Sequence, residues 1–197
     1  METLPAFCLL GAPGAGKGTQ AQLLKERLGY LHVSSGDIFR DAIAKKDPAA
    51  LKAQDLMNRG ELVPDDVIKE MVQTELGAKL QAAGKIAGVI LDGFPRTVGQ
   101  AEMLDGLLST LNLRFTGMVN LAVPEEMLVK RLLNRATEGA QRADDNEEVI
   151  RERMKVWRQK TQPLEDYYAQ RQLLINVDGT GTIEEIYVRL APIVKKM

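Results

Sequence analysis

The chain of 197 residues holds one cysteine, one histidine and one tryptophan. A single cysteine excludes an intrachain disulfide and any cysteine-rich zinc site. Cys8 also lies inside an apolar run, which makes it a small core residue rather than a nucleophile. His32 alternates with Leu31 and Val33 and reads as structural, not catalytic. An excess of positive charge is missing too: 26 Lys and Arg stand against 27 Asp and Glu, a net charge of −1. That balance excludes a bulk basic field for nucleic acid, so any anion must be held by a local cluster of cations. No apolar run reaches membrane-spanning length. The N-terminus has Glu2, no early basic cluster, and an apolar run too short for a signal peptide. A cytoplasmic protein with no membrane partner is expected. There is no internal repeat, low-complexity segment or obvious linker, so one domain spanning 1–197 is expected.

What the chain does have is a glycine loop, Gly11-Ala12-Pro13-Gly14-Ala15-Gly16-Lys17-Gly18-Thr19. A short apolar run precedes it and a helical stripe, Leu23, Leu24 and Leu28, follows it. Strand, glycine loop and helix form the context of a phosphate-binding loop. Glycines let successive N–H groups turn toward an anion, and the helix adds its positive end. Lys17 supplies a point charge that can follow a phosphate during transfer. Gly18 stands where the general motif has Ser or Thr, and the hydroxyl comes one place later as Thr19. A dinucleotide fingerprint fails, because no third glycine follows Gly14-x-Gly16 at the required place.

Apolar runs of strand type lie at about 6–10, 86–91, 115–121 and 173–177, with a short one at 31–33. Helical patterns separate them, the alternation of a parallel, doubly wound α/β sheet. Ligands then bind at the carboxyl ends of the strands, where the glycine loop lies. Ser35 or Asp37 is expected to cap the helix that carries Arg40. Two short helices broken at Asp47-Pro48 occupy 41–59, and Asp65 and Asp66 open a longer one. Asp92 ends an apolar strand, and in a phosphate-loop protein that carboxylate is the expected partner of Mg²⁺, directly or through water. Arg131 and Arg135 share a helix face, and Arg142 sits in a polar loop. Farther on, Arg153 falls closer to the buried stripe Ile150, Met154 and Trp157 than Arg151 does.

The segments GAPGAGKGT, SSGDIFR, GELVPDD, LDGFPRTVGQ, RLLNR, RADDNEEVIRER and VDGTG, in this order, resemble the adenylate kinase family over nearly the whole chain. The resemblance implies a phosphate-loop, three-layer α/β fold with five parallel strands. It adds a helical nucleoside-monophosphate-binding insertion at 34–63 and a lid at 134–145. Only six residues separate Arg135 from Arg142, so the lid resembles the short form, and the long form that sometimes holds zinc has no counterpart. By this resemblance Gly14, Ala15, Gly16, Lys17, Gly18 and Thr19, with Arg135, hold the phosphates of ATP, and Gly181 lies near its adenine. Ser35, the stretch Glu61, Leu62 and Val63, and Gln100 surround the AMP adenine. Arg40 and Arg96 hold the AMP phosphate beside Gly93, Phe94 and Pro95. Arg131, Arg135, Arg142 and Arg153 close around the transferred phosphoryl group.

The implied activity is ATP + AMP ⇌ 2 ADP with Mg²⁺ and no zinc, carried out by a monomer acting on small-molecule nucleotides. A UMP/CMP kinase of the same fold is the nearest alternative, and Ser35 and Gln100 favour adenine over it. A GTPase switch would need Gly where Pro95 stands and an Asn-Lys-x-Asp element, which is absent. A non-catalytic nucleotide sensor would have no need of so many convergent arginines.

Overall fold

The structure is a computed structural model that describes residues 3–137 and 147–197. The elements run β1 (Leu4–Leu10), α1 (Lys17–Leu28), β2 (Leu31–Ser34), α2 (Ser35–Ala44), α3 (Pro48–Asn58) and α4 (Asp65–Ala82). Then follow β3 (Val89–Asp92), α5 (Val98–Thr110), β4 (Leu113–Ala122), α6 (Glu125–Thr137) and α7 (Glu147–Val156). A π-helical turn, Trp157–Thr161, leads to α8 (Pro163–Ala169), β5 (Leu174–Asp178) and α9 (Ile183–Val194). The strands form one sheet in the order β2-β3-β1-β4-β5, every pairing parallel. The expected α/β class with five parallel strands is therefore present.

β1 lies at the centre, which explains why Ala6 to Leu10 is apolar without a break. A parallel strand covered on both faces has no polar side. Its alternate side chains feed two cores. Ala6, Cys8 and Leu10 join Leu76 of α4 and Leu104 and Leu107 of α5 on one face. Phe7 and Leu9 join Leu24 of α1 and Leu190 and Val194 of α9 on the other. Helices on both faces of the sheet complete three layers. Cys8 is fully buried, and that burial pushes its thiol well above the ordinary range, as a core cysteine requires.

Three local expectations need correction. The cap of α2 is Ser34, whose Oγ accepts from the Asp37 amide at 3.3 Å, not Ser35 or Asp37. Ser35 is already helical, and its hydroxyl is used elsewhere. β3 begins at Val89 rather than 86. The Gly88 carbonyl accepts from the Leu31 amide at 2.9 Å as the first rung toward β2, the Ala87 amide donates to the Gly29 carbonyl before that strand starts, and the ladders with β1 and β2 both begin at Val89. β4 starts earlier than expected, at Leu113, whose side chain is buried. The break at Asp47-Pro48 falls where expected, between α2 and α3.

Leu104 is fully buried between α5 and the sheet. Leu104→Ala should destabilise the fold by about 2–5 kcal/mol through lost transfer energy and a residual cavity. A urea titration should show a lower midpoint with an unchanged slope.

Candidate functional site

Where β1 ends, the chain turns through the glycine loop into α1. Gly14 has φ +88°, and a Cβ there would lie 2.9 Å from the Leu128 carbonyl oxygen and 3.0 Å from Leu132 Cγ. Only glycine lets α6 pack this closely on the loop. The first turn of α1 contains no acidic residue, so the positive end of the helix stays available to an anion. Lys17 Nζ donates to the loop's own carbonyls, to Gly11 at 2.6 Å and Ala12 at 3.2 Å. Arg131 of α6 donates to the carbonyls of Gly179 at 3.0 Å and Ala15 at 3.5 Å.

Asp92 closes β3 beside this loop, in register with Leu9 of β1 and Ser34 of β2. Burial pushes its carboxyl up, but His32, Lys17 and Arg96 outweigh burial and hold it below the ordinary carboxylate value. It is therefore ionised at neutral pH. His32 Nε2 lies 3.5 Å from Asp92 Oδ2, a contact without hydrogen-bond geometry. A Cβ on Gly18 would lie 3.5 Å from the same carboxylate, so loop and carboxylate adjoin. Thr19 lines the cleft and brings a hydroxyl oxygen. One ionised carboxylate and one hydroxyl are hard oxygen donors of the kind that suits Mg²⁺. That ion keeps several waters and takes further oxygens from phosphates.

On the other side of Asp92, the Gly93 carbonyl accepts from Ser35 Oγ at 2.7 Å and from Arg96 Nε at 2.8 Å. Gly93 has φ +79°, and a Cβ would lie 2.6 Å from Ser35 Oγ and 2.9 Å from Arg96 Nη2. Arg40 pairs with Asp37 one turn earlier in α2. Arg153 is half-buried and packs against Gly60, whereas Arg151 is exposed and pairs with Glu147 at 2.7 Å. The expected difference between these two arginines is present.

A single cleft of about 910 Å³ joins the two sides, at the upper end of the usual range for small-molecule sites. Gly14, Gly16, Lys17, Gly18, Thr19, Asp92 and Arg131 line it, as do Arg40, Glu61, Gly93, Arg96, Arg153 and Gly181. Leu62 and Pro95 line a smaller adjoining recess with Trp157. The side chains of Phe94 and Val63 belong to the core, so a part for them in ligand binding falls to the backbone. Ala15 is fully buried and leaves only its backbone for the same purpose. Gln100 is 2% exposed and does not line the cleft. Its Oε1 accepts from the Arg96 amide at 2.7 Å and its Nε2 donates to Asp65 Oδ1 at 2.7 Å. The Arg135 side chain, Arg142 and most of the 134–145 lid lie outside the described residues.

Three further residues shape the site. Asp65, a helix opener by its position in the sequence, also holds Gln100. Arg189 donates to the carbonyls of Asp178 and Thr180, each at 2.7 Å, and thereby pins the turn that carries Gly181. Gln20, 1% exposed, donates to the Ile183 carbonyl at 2.9 Å along the same wall. A readable signal existed nearby, since Thr182 and Glu185 have the spacing of the capping box that starts α9.

Comparison with known proteins agrees with this geometry. A family model described as adenylate kinase matches residues 9–173. An adenylate kinase of Thermus thermophilus is 49% identical over 191 residues, covering 96% of this chain and 97% of the relative. An adenylate kinase of Corynebacterium glutamicum is 47% identical over 181 residues, covering 92% and 94%. The adenylate kinase of Archaeoglobus fulgidus is 41% identical over 214 aligned positions, covering 95% and 97%.

Gly93→Ala forces a methyl group into both Ser35 and Arg96 at a backbone angle that suits glycine. Calorimetric titration with a nucleoside monophosphate should show affinity weakened about tenfold or more, as two polar contacts are displaced.

Proposed function

The chain belongs to the adenylate kinase family, a family of phosphotransferases, and we propose that it catalyses ATP + AMP ⇌ 2 ADP with Mg²⁺. One observation carries this reading. The phosphate loop and a second set of cations, Arg40, Arg96 and Arg153, face one continuous cleft with an ionised carboxylate between them. A site for one nucleotide would need only the first half.

In this reading Gly14 to Thr19 hold the ATP phosphates, and Lys17 exchanges its two loop carbonyls for phosphate oxygens. The turn at Gly181, braced by Arg189, sits beside the donor adenine. Arg40 and Arg96 hold the AMP phosphate. Ser35, Gln100 and the stretch Glu61 to Val63 surround its base, and the backbone of Gly93 to Pro95 borders it. Arg131 and Arg153, with Arg135 and Arg142 from the lid at 134–145, offset charge on the transferred group. Mg²⁺, held by Asp92 directly or through water, would shield the two sets of phosphates from each other. Catalysis is then positioning and electrostatic stabilisation of an in-line transfer.

No side chain is needed as general base. The acceptor is a phosphate whose second pKa is about 6, so at neutral pH it is mostly a dianion and already nucleophilic. His32 lies against Asp92 and positions it, taking no proton from the substrate. The insertion at 34–63 is the acceptor-binding part of a single domain. A cytoplasmic monomer that serves nucleotide homeostasis fits this reading. The net charge of −1 supports small-molecule nucleotides as partners, not nucleic acid. None of the helices described is long and apolar enough to cross a membrane.

The reading is tested by ADP formation from Mg-ATP with each nucleoside monophosphate in turn; a clear preference for CMP or UMP over AMP would overturn it. Lys17→Met should slow the reaction with AMP about a thousandfold while the protein stays folded, since it removes a charge aimed at the transition state. His32→Ala should retain most activity at saturating substrate. Collapse of turnover in that folded variant would show that a base had been missed.

A further inference from the structure

The orientation of the Gln100 carboxamide is dictated by its partners. The Asp65 carboxylate can only accept, so the amide nitrogen must face it, as it does at 2.7 Å. A main-chain N–H can only donate, so Oε1 must face Arg96 N, also at 2.7 Å. Turning the amide over would set Oε1 against a carboxylate and the NH₂ group against an N–H. Two hydrogen bonds would become two repulsions. Asp65 is itself held: it receives the Thr97 hydroxyl at 3.3 Å, and Thr97 in turn caps α5 by accepting the Gln100 amide at 3.1 Å. Gly99 leaves the room, since a Cβ there would lie 3.4 Å from Asp65 Oδ2.

Each end of the carboxamide keeps one position for a further partner, a lone pair on Oε1 and a hydrogen on Nε2. That pair accepts from a 6-amino group and donates to an unprotonated N1, the edge of a 6-aminopurine. A 6-oxopurine presents the reverse, an acceptor at position 6 and an N1–H donor, and would need the amide turned over. We propose that Asp65 is a positioning residue that sets acceptor-base specificity, locking Gln100 in the orientation that takes 6-aminopurines and opposes 6-oxopurines. The inference rests on the reading in which Gln100, 2% exposed and outside the cleft lining here, meets the acceptor base once a nucleotide is bound.

The test measures kcat/KM for AMP and for IMP, with Mg-ATP, in the parent protein and in Asp65→Asn, Asp65→Ala and Gln100→Ala. Asparagine offers both a donor and an acceptor, so one of the two repulsions that oppose turning Gln100 over is removed, and only the Arg96 N–H still resists the orientation that hypoxanthine needs. The IMP-to-AMP ratio should rise about tenfold in Asp65→Asn, the size of one hydrogen bond regained. Asp65→Ala should move the ratio in the same direction, so the result does not depend on one variant folding. A merely structural tie between α4 and α5 would lower both substrates together and leave the ratio alone. An unchanged ratio in both Asp65 variants, with Gln100→Ala shifting it, overturns the lock but keeps Gln100 as the base reader. An unchanged ratio in Gln100→Ala overturns the base reading and the lock with it.

Discussion

Like charges gathered at one end of a sheet repel each other, and the site is built around that repulsion. Lys17, Arg40, Arg96, Arg131 and Arg153 line one cleft in a chain whose net charge is −1. They rest on acceptors supplied nearby. Lys17 lies on two carbonyls of its own loop, Arg40 on Asp37, Arg96 on the Gly93 carbonyl and Arg131 on the carbonyls of Gly179 and Ala15. The carbonyls among these acceptors are neutral dipoles. They orient the cations without cancelling their charge, and a phosphate can displace them at modest cost.

α6 connects the loop to the far side of the cleft. Its Leu128 carbonyl and Leu132 side chain press on Gly14, and its Arg131 reaches both Ala15 and Gly179. Any displacement of α6 would therefore be felt by the phosphate loop and by the turn leading to Gly181 at once. The same helix leads into 134–145. The position of α6 and occupancy of the loop are thus joined by a short run of packed residues, the kind of element that two binding events can bias together.

How much of this was legible depended on how local each feature is. The apolar runs of β1 and β4 showed in the sequence because central parallel strands are covered on both faces, while β5, at the sheet edge, showed only as a short run. The glycine loop, Asp92 at a strand end, and the contrast between Arg153 and Arg151 were also local patterns, readable from spacing. The start of β3 was not, because the residues before Val89 have strand-like composition while the ladders with β1 and β2 both begin at Val89. Ser34, Ser35 and Asp37 could all cap α2, and only the pull of the Gly93 carbonyl on Ser35 decides among them. Asp65 and Gln100 stand 35 positions apart on different helices, and no periodicity announces their bond. Arg189 looked like any charge on a surface helix until the turn at Asp178 folded back beneath it.

The centre of the sheet is also synthesised ahead of both strands that flank it. β1 leaves the ribosome long before β3 and β4, the strands that pair with its two edges. At ordinary elongation rates the wait for Ala122 lasts on the order of ten seconds. During that interval a nearly uninterrupted apolar segment carries two open edges and the nucleotide loop has no scaffold behind it. The nascent chain thus presents its stickiest piece first and its protection last, which makes the N-terminal third the segment for a holding chaperone to cover.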